Sequence, residues 1–243
     1  SSAASDVYKR QVLMKAGFTL AEVLITLGII GIVAAMTLPA LINKTAGAQY
    51  KSGLQKSYSV LTQALQRLNA DQGFIATRDS YGNRTFASYY KKYFNVLKDC
   101  SLETCIGGTV DENNTFIINT YTTYSKSRKV SSRFFDDGQF ILTDGMVLLI
   151  EDNTASGESG SGVGSMFITV DVNGYKKKPN AWGHDLFTFQ IMNDSGKLIP
   201  MGADGTVFTD LNTYCSSTST NAQNGIACTY KALTDKNYFN NLP

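Results

Sequence analysis

The hydrophobic pattern is dominated by a run of 20 residues, Val23 to Ile42, that contains no charged side chain. At about 1.5 Å rise per residue, a helix of this length spans about 30 Å, the hydrocarbon thickness of a bilayer. The run is apolar on all sides, which is typical of a membrane-inserted helix rather than a helix on a domain surface. We therefore predict a membrane-spanning helix over this segment.

After the apolar run, the pattern becomes that of a helix with one apolar face. Apolar residues recur at spacings of three and four, namely Leu54, Tyr58, Leu61, Leu65 and Leu68. The opposite face carries polar residues, namely Lys56, Gln63, Gln66 and Arg67. This spacing predicts one helix from about Leu20 to Asp71, with its second half packed on a domain core. Gly73 is suited to end it, because glycine readily adopts the left-handed conformation found after helices.

The rest of the chain is predicted to contain a short helix and an antiparallel sheet. Apolar residues at helical spacing favour a second amphipathic helix from Phe86 to Lys98. Strand candidates follow from about Ser131: Phe140 to Leu142, Met146 to Ile150, Met166 to Val172, Leu186 to Met192 and Lys197 to Pro200. Asp144-Gly145 is typical of a hairpin turn. Four or five such strands predict an α+β fold in which the long helix packs on an antiparallel sheet.

Composition and charge argue against several function classes. The chain has 243 residues, a net charge of +2 and a pI near 8.2, so it lacks the basic footprint typical of nucleic-acid-binding proteins. It has a single histidine, His184, which weakens a zinc hydrolase or a histidine-based triad. Asp136 and Asp137 are adjacent, so their side chains need not converge into an acid/base pair. We expect a protein that is not an enzyme.

The four cysteines form two local pairs in the sequence. An even number of cysteines used in this way is typical of an exported domain. Zinc binding is less favoured, because the spacings lack a C-x2-C knuckle. Four cysteines allow three pairings, and we favour the nearest-neighbour one, Cys100 with Cys105 and Cys215 with Cys228.

The residues before the apolar run indicate a leader. Residues 1–11 show no periodicity, and we interpret them as a non-native scar, with the native start near Met14. An ordinary secretory signal is cut after its apolar core, whereas the candidate cleavage point here, Gly17–Phe18, lies before it. Lys15 supplies a positive charge that would hold the leader on the cytoplasmic side.

Glu22 is the unusual residue of this region, because it places a carboxylate at the edge of the apolar helix. Such a charge costs a few kcal/mol in a membrane unless it is paired. It can lie in the headgroup region at little cost, or it can pair with a positive charge from a neighbouring chain. Cleavage after Gly17 would create such a charge at the new amino terminus of Phe18.

The six residues from Gly17 to Glu22, GFTLAE, resemble the processing site of type IV pilins and of the pseudopilins of type II secretion. The resemblance extends over roughly residues 15–69. It implies that a prepilin peptidase cuts after Gly17 and methylates the Phe18 amine. It also implies that Phe18 and Glu22 act in subunit assembly and that Pro39 is the helix-kinking proline.

The resemblance implies a structural subunit of a type IV pilus-like filament. The expected parts are a leader of residues 1–17, a transmembrane and filament-core helix of residues 18–42, and a periplasmic or extracellular pilin domain of residues 43–243. The expected partners are the prepilin peptidase, identical or related subunits, the inner membrane, and pilus or secretion assembly machinery. The expected location is the inner membrane for the precursor, then a periplasmic or cell-surface filament. The loop closed by Cys215 and Cys228 is the candidate for variable surface contacts. A secretion pseudopilin and a membrane-anchored envelope enzyme or binding protein are the alternatives.

Asp171, Asn173 and Asp185 are weak calcium candidates, because some secretion pseudopilins bind calcium in their C-terminal loops. The run lacks the spacing and the terminal glutamate of an EF-hand. An Asx turn after a strand is the simpler interpretation of Asp171. No other cofactor or metal is expected.

Overall fold

The computed structural model describes residues 17–82, 84–100, 105–110, 116–152 and 165–243. The leader predicted for residues 1–17 therefore lies outside the described residues, apart from Gly17. The chain divides into two compact units, Ser1–Asn43 and Lys44–Pro243.

The first helix, α1, spans Leu20–Gln72, close to the predicted limits. In the first unit, its segment Leu20–Leu38 has a mean hydropathy of 2.2 and is long and apolar enough to cross a membrane. The large apolar side chains of that segment are exposed. The helix continues through Pro39 without interruption, so bending or melting at this proline in a filament stays a prediction.

In the second unit, α1 has the predicted apolar stripe. Its buried leucines are Leu54, Leu61, Leu65 and Leu68, and the four polar residues assigned to the opposite face are exposed. Gly73 ends the helix with φ at +75°, and its amide donates to the carbonyl of Asn69 at 2.9 Å. Near the start of this part, a Cβ at Gly47 would lie 2.7 Å from the carbonyl oxygen of Phe239, so glycine is needed for that close approach.

The main sheet confirms the expected α+β class. It has six antiparallel strands, which are in spatial order β1 (Val96–Asp99), β5 (Gly138–Leu142), β6 (Val147–Glu151), β7 (Met166–Asp171), β8 (Leu186–Ile191) and β9 (Leu198–Pro200). The strands that lie between β1 and β5 in the chain form a second sheet, described below. The predicted hairpin joins β5 and β6 at Asp144-Gly145, where Gly145 has φ at +90° and donates to the Leu142 carbonyl at 3.0 Å.

Both faces of this sheet are covered, which explains why every residue of β6, β7 and β8 is buried, whereas a sheet with one solvated face alternates buried and exposed positions. One face packs with α1 and includes Phe140, Leu148, Ile168, Phe187 and Phe189. The other face forms a second cluster with Val147, Leu149, Phe167, Phe134, Phe135 and Trp182. The two clusters place the centre of the sheet between two apolar layers.

The predicted helix from Phe86 to Lys98 is wrong. The structure has a short helix, α2 (Phe86–Tyr90), then a 3-10 turn, Lys91–Tyr93, and then strand β1, which pairs with β5. Phe86 and Tyr90 are fully buried and their rings stack at 5.1 Å, whereas Leu97 is 70% exposed. Helical spacing over so few residues does not distinguish one helix from a helical turn followed by an edge strand.

A second, three-stranded antiparallel sheet was not predicted. Its strands are β2 (Gly108–Val110), β3 (Phe116–Thr122) and β4 (Lys129–Ser131), in that spatial order. Two of the three strands have only three residues, too few for an alternating pattern to be visible in the sequence. Ile118 and Val130 of this sheet are fully buried in the cluster around Trp182.

The four cysteines form the nearest-neighbour pairs, with Cα atoms 5.6 Å apart for Cys100–Cys105 and 5.0 Å apart for Cys215–Cys228. The second disulfide joins α4 (Cys228–Thr234) to the end of α3 (Leu211–Tyr214). Its loop is partly a surface element and partly core. Residues 224–229 are buried because Ile226 and Ala227 fill the core beside Trp182, and exposed positions are confined to the first half of the loop.

Candidate functional site

The predicted cleavage point lies in an open segment. Gly17, Phe18 and Thr19 precede α1 and have no regular secondary structure. Phe18 is 86% exposed, and a Cβ at Gly17 would meet no atom within 4 Å. The Gly17–Phe18 peptide bond is therefore on an accessible, non-helical stretch, which is the form of backbone that a peptidase can bind.

Glu22 is bonded to the start of its own helix. The backbone amide of Thr19 donates to Oε2 of Glu22 at 2.8 Å, and the Thr19 hydroxyl donates to the same oxygen at 2.9 Å. The amide of Glu22 in turn donates to the Thr19 hydroxyl at 3.2 Å. This is a capping box, which satisfies backbone donors at a helix N-terminus and places a negative charge where the helix dipole favours it.

Sequence reasoning missed the role of Thr19 in this segment. The pattern T-x-x-E before an apolar run is the sequence indication of a capping box, and it was present in the hexapeptide. The structure therefore adds a third residue to Phe18 and Glu22. Pro39 lies further along the same helix and takes no part in this hydrogen-bonded group.

The polar groups within the apolar helix are satisfied internally. The Thr26 hydroxyl donates to the Glu22 carbonyl at 2.8 Å, and the Thr37 hydroxyl donates to the Val33 carbonyl at 2.9 Å. Such back-bonding to the preceding turn removes the cost of placing a hydroxyl in an apolar medium.

The surface that this helix presents is almost wholly apolar. Its exposed large side chains are Leu20, Val23, Leu24, Ile25, Leu27, Ile29, Ile30, Ile32, Val33, Met36, Leu38 and Leu41. A contiguous apolar surface of this size indicates a lipid or protein environment, because each buried Å² of it is worth about 25 cal/mol.

The calcium candidate Asp171 is held in an Asx turn, as the simpler interpretation predicted. Its Oδ1 accepts hydrogen bonds from the amides of Asn173 at 3.1 Å and Gly174 at 2.8 Å. Its Oδ2 accepts from the Tyr121 hydroxyl at 2.8 Å. Burial, and then the charge of Asp185, raise the pKa of Asp171 to about 7.

Asp185 is used in the same way. Its Oδ1 accepts from the amide of Ala181 and its Oδ2 from the amide of Asn180, both at 2.8 Å. Burial raises the pKa of Asp185 to about 6, and these backbone bonds oppose the shift. A cation at Asp171 and Asp185 would have to displace hydrogen bonds that hold two turns. Calcium binding by these residues stays a prediction.

His184 lies in the core, 3% exposed. Its Nε2 is 3.1 Å from the carbonyl oxygen of Tyr124. Burial, and then the nearby charge of Lys126, lower the pKa of His184 to about 4, although the bond to Tyr124 opposes the shift. The neutral imidazole is therefore a packed structural group of the domain.

The expectation that Asp136 and Asp137 need not converge is wrong. Together with Glu151, each contributes a carboxylate oxygen to a group in which all three oxygens lie within 4.8 Å of one another. Counting residues along β5 and β6 outward from the predicted turn at Asp144-Gly145 would have shown this. The register pairs Gly138 with Ile150, so the acidic residues next to them, Asp137 and Glu151, lie side by side.

Comparison with known proteins bears on the N-terminal segment. Residues 13–38 match the family described as the prokaryotic N-terminal methylation motif, which is the prepilin signature of type IV pilins and pseudopilins. The match covers Gly17, Phe18, Glu22 and the apolar helix, and it confirms the resemblance drawn from the hexapeptide. No curated protein and no solved structure matches the chain.

Proposed function

We propose that this chain is the precursor of a structural subunit of a type IV pilus-like filament. One observation carries the proposal: the methylation-motif match at residues 13–38 coincides with an apolar helix, Leu20–Leu38, that is long enough to cross a membrane and exposes its large apolar side chains. Proteins that carry this motif are structural, and no enzymatic role is proposed.

The first step of the proposed mechanism is membrane insertion. The segment Leu20–Leu38 crosses the inner membrane, and the domain that follows it folds on the periplasmic side. A prepilin peptidase then cuts after Gly17, in the open stretch that precedes the helix, and methylates the new amine of Phe18. The subunit helices leave the lipid and bury their apolar surfaces against one another.

Attraction between the Phe18 amine of one subunit and the Glu22 carboxylate of its neighbour would guide the assembly. In water, two unit charges at about 4 Å attract by about 1 kcal/mol, whereas at an effective dielectric constant near 20 the attraction is about 4 kcal/mol. The amine of Phe18 from an incoming subunit would therefore be drawn to Glu22 of its neighbour inside the apolar filament. This pairing would fix the stagger between subunits.

The capping box gives Glu22 a stable position before assembly. Both bonds from Thr19 end on Oε2, so Oε1 remains able to accept a bond from an incoming amine. The carboxylate can therefore be oriented by its own chain and still bind the neighbour, which lowers the entropy cost of forming the pair.

We assign the filament to the pilus class rather than to a secretion pseudopilus because of the disulfide that closes the C-terminal region, Cys215–Cys228. In the pilin family such a disulfide often shapes the outward face of the filament. The proposed final location is a periplasmic or cell-surface filament, and the proposed partners are related subunits and the assembly machinery of the inner membrane.

The experiment that tests this proposal is co-expression with a prepilin peptidase, followed by intact mass and N-terminal sequencing. We expect a new terminus at Phe18 with one added methyl group. A Gly17→Val variant, which fills the open position before the cut, should stay uncut as a control. An uncut wild-type chain, or one cut beyond Ile42, would contradict the proposal and favour an anchored enzyme or binding protein.

A further inference from the structure

Five lysines come together at one end of the domain, and we call them the lysine face. Lys44 and Lys51 are seven residues apart on α1, close to two turns, so they lie on the same side of the helix about 10 Å apart. Residues 176–178 are three consecutive lysines, all exposed, in the connection between β7 and β8. Tyr50 joins the two groups, because its hydroxyl donates to the carbonyl of Lys178 at 3.3 Å.

The connection that carries the three lysines is held by its own backbone. The amide of Lys177 donates to the carbonyl of Gly174 at 2.9 Å, and the side-chain amide of Asn180 donates to the carbonyl of Tyr175 at 2.7 Å. A Cβ at Gly174 would lie 2.5 Å from the carbonyl oxygen of Gly145, so the connection packs closely beside the β5–β6 turn. The lysine side chains are therefore presented from a fixed backbone.

The lysine face is not neutralised by ion pairs among the described residues. None of its five lysines lies within 4.0 Å of a carboxylate there. The sequence of α1 has no acidic residue between Glu22 and Asp71, and residues 172–184 have none either. The carboxylate next to the β5–β6 turn, Asp144, is paired with Lys56 at 2.8 Å. The whole chain has a net charge of only +2, so these five charges are concentrated on a protein that is otherwise negative.

The lysine face begins beside the predicted membrane span. Only Asn43 separates Lys44 from the apolar run that ends at Ile42. The headgroup layer on each side of a bilayer is about 5–7 Å thick, so Lys44 falls within it. Lys51 is about 10 Å further along the helix, a distance that a lysine side chain and a Debye length of about 8 Å together cover.

We propose that the lysine face binds the anionic lipid headgroups of the membrane that the apolar helix crosses. The inference rests on the proposed insertion of Leu20–Leu38. An acidic protein surface would also attract lysines, but lipid is favoured because Lys44 already lies in the headgroup layer. The inserted helix holds the face beside the bilayer at a high effective concentration. Headgroup binding therefore sets the orientation of the domain on the membrane before assembly, whereas the helix sets whether the chain is inserted.

The test uses the single tryptophan, Trp182, which is buried in the same domain four residues after Lys178. The full chain is reconstituted in vesicles of phosphatidylcholine and in vesicles of equimolar phosphatidylcholine and phosphatidylglycerol, each with a dansyl-labelled lipid. Energy transfer from Trp182 to the dansyl headgroup reports how close the domain lies to the bilayer. We expect higher transfer in the anionic vesicles, and we expect about 1 M salt, where the Debye length is about 3 Å, to remove the difference.

The variant that tests the lysine face replaces residues 176–178 with glutamine. It should lower the ratio of docked to undocked domains in anionic vesicles by about 100-fold, at about fivefold for each lysine. The matched control removes the same charge from exposed residues near the other end of α1, with the three changes Arg67→Gln, Lys92→Gln and Lys197→Gln. The control should keep the transfer of the wild type, and both variants should unfold at the wild-type temperature.

Vesicle flotation separates this inference from the proposed function. A chain that floats with both kinds of vesicle but gives equal transfer in them is inserted without headgroup binding, which overturns the inference alone. Undiminished transfer in the glutamine variant of residues 176–178, or an equal loss in the control variant, would also overturn it. A chain that floats with neither kind of vesicle would refute the membrane insertion and this inference together.

Discussion

The Thr19 backbone amide and hydroxyl both donate to Oε2 of Glu22, at 2.8 and 2.9 Å. The carboxylate proposed to recruit a neighbouring subunit is therefore already oriented by its own helix. Two contributions of Glu22 can be separated on this basis: its hydrogen bonds within the chain, which an uncharged amide can partly replace, and its negative charge, which an amide cannot.

We predict that Glu22→Gln and Glu22→Ala are both cleaved normally but form no filaments. Gln keeps an oxygen that can accept from Thr19, yet it lacks the charge that attracts the Phe18 amine. The measurement is the N-terminus by mass, together with the filament fraction sheared from cells. Thr19→Val is the matched control, since it removes the hydroxyl and keeps the charge, and it should still give filaments. Normal filaments from Glu22→Gln would reject the charge pairing.

Two glycines with left-handed backbone provide a test of core packing. Gly225 has φ at +113°, and a Cβ there would lie 2.4 Å from Cβ of Trp182; Gly145 has φ at +90° with nothing within 4 Å. We expect Gly145→Ala to cost about 1–2 kcal/mol from backbone strain alone. Gly225→Ala should cost at least about 2 kcal/mol more because of the clash. Denaturant unfolding measures both, and equal losses would show that the contact with Trp182 relaxes freely.

The two disulfides should differ in their contribution to stability. Replacing Cys215 and Cys228 with alanine should lower the free energy of unfolding by about 3 kcal/mol, and replacing Cys100 and Cys105 by about 2 kcal/mol, because the first pair closes the longer loop. Unfolding of the two double variants against the wild type measures this. Peptide mapping without reductant should recover the same two pairs, and a cross-linked pair between them would contradict the structure.

His184 should make the domain sensitive to acid. The folded-state pKa of about 4 lies below the ordinary value of 6.5, so the unfolded chain binds the proton more readily. As the pH falls from 6.5 to 4, the wild type should lose roughly 2–3 kcal/mol of stability relative to His184→Gln, and below that range the difference should level off. Denaturant curves at several pH values measure this, and parallel pH profiles of the two proteins would exclude the effect.

The parts of the fold that were predictable are those with a long or repeated pattern. The limits of α1 followed from an apolar run and a leucine stripe that together cover most of the helix, and the β5–β6 hairpin followed from Asp144-Gly145. The strand β1 was mistaken for helix because its partner, β5, is distant in sequence and the spacing of Phe86 and Tyr90 is helical. The short strands around Ile118 gave no pattern because they depend on packing with Trp182.

The candidate site was predictable in its residue types but not in its bonds. The hexapeptide identified Gly17, Phe18 and Glu22 from sequence alone, whereas the capping role of Thr19 required geometry. The register of β5 and β6 brings Asp136 and Glu151 together. The turn at Asp144-Gly145 sets that register, but the meeting of the two side chains becomes visible only when the strand pairing is followed from the turn to the other end of the hairpin.

The close approach of Gly47 to Phe239 has a consequence for biosynthesis. At translation rates of about 5–20 residues per second, roughly ten to forty seconds separate the synthesis of these two residues. During that interval the apolar stripe of α1 has emerged, but the segment that closes over the helix does not yet exist. Until Phe239 has been made, the nascent chain therefore exposes an apolar helix face, the kind of surface that makes partly synthesised chains prone to aggregate.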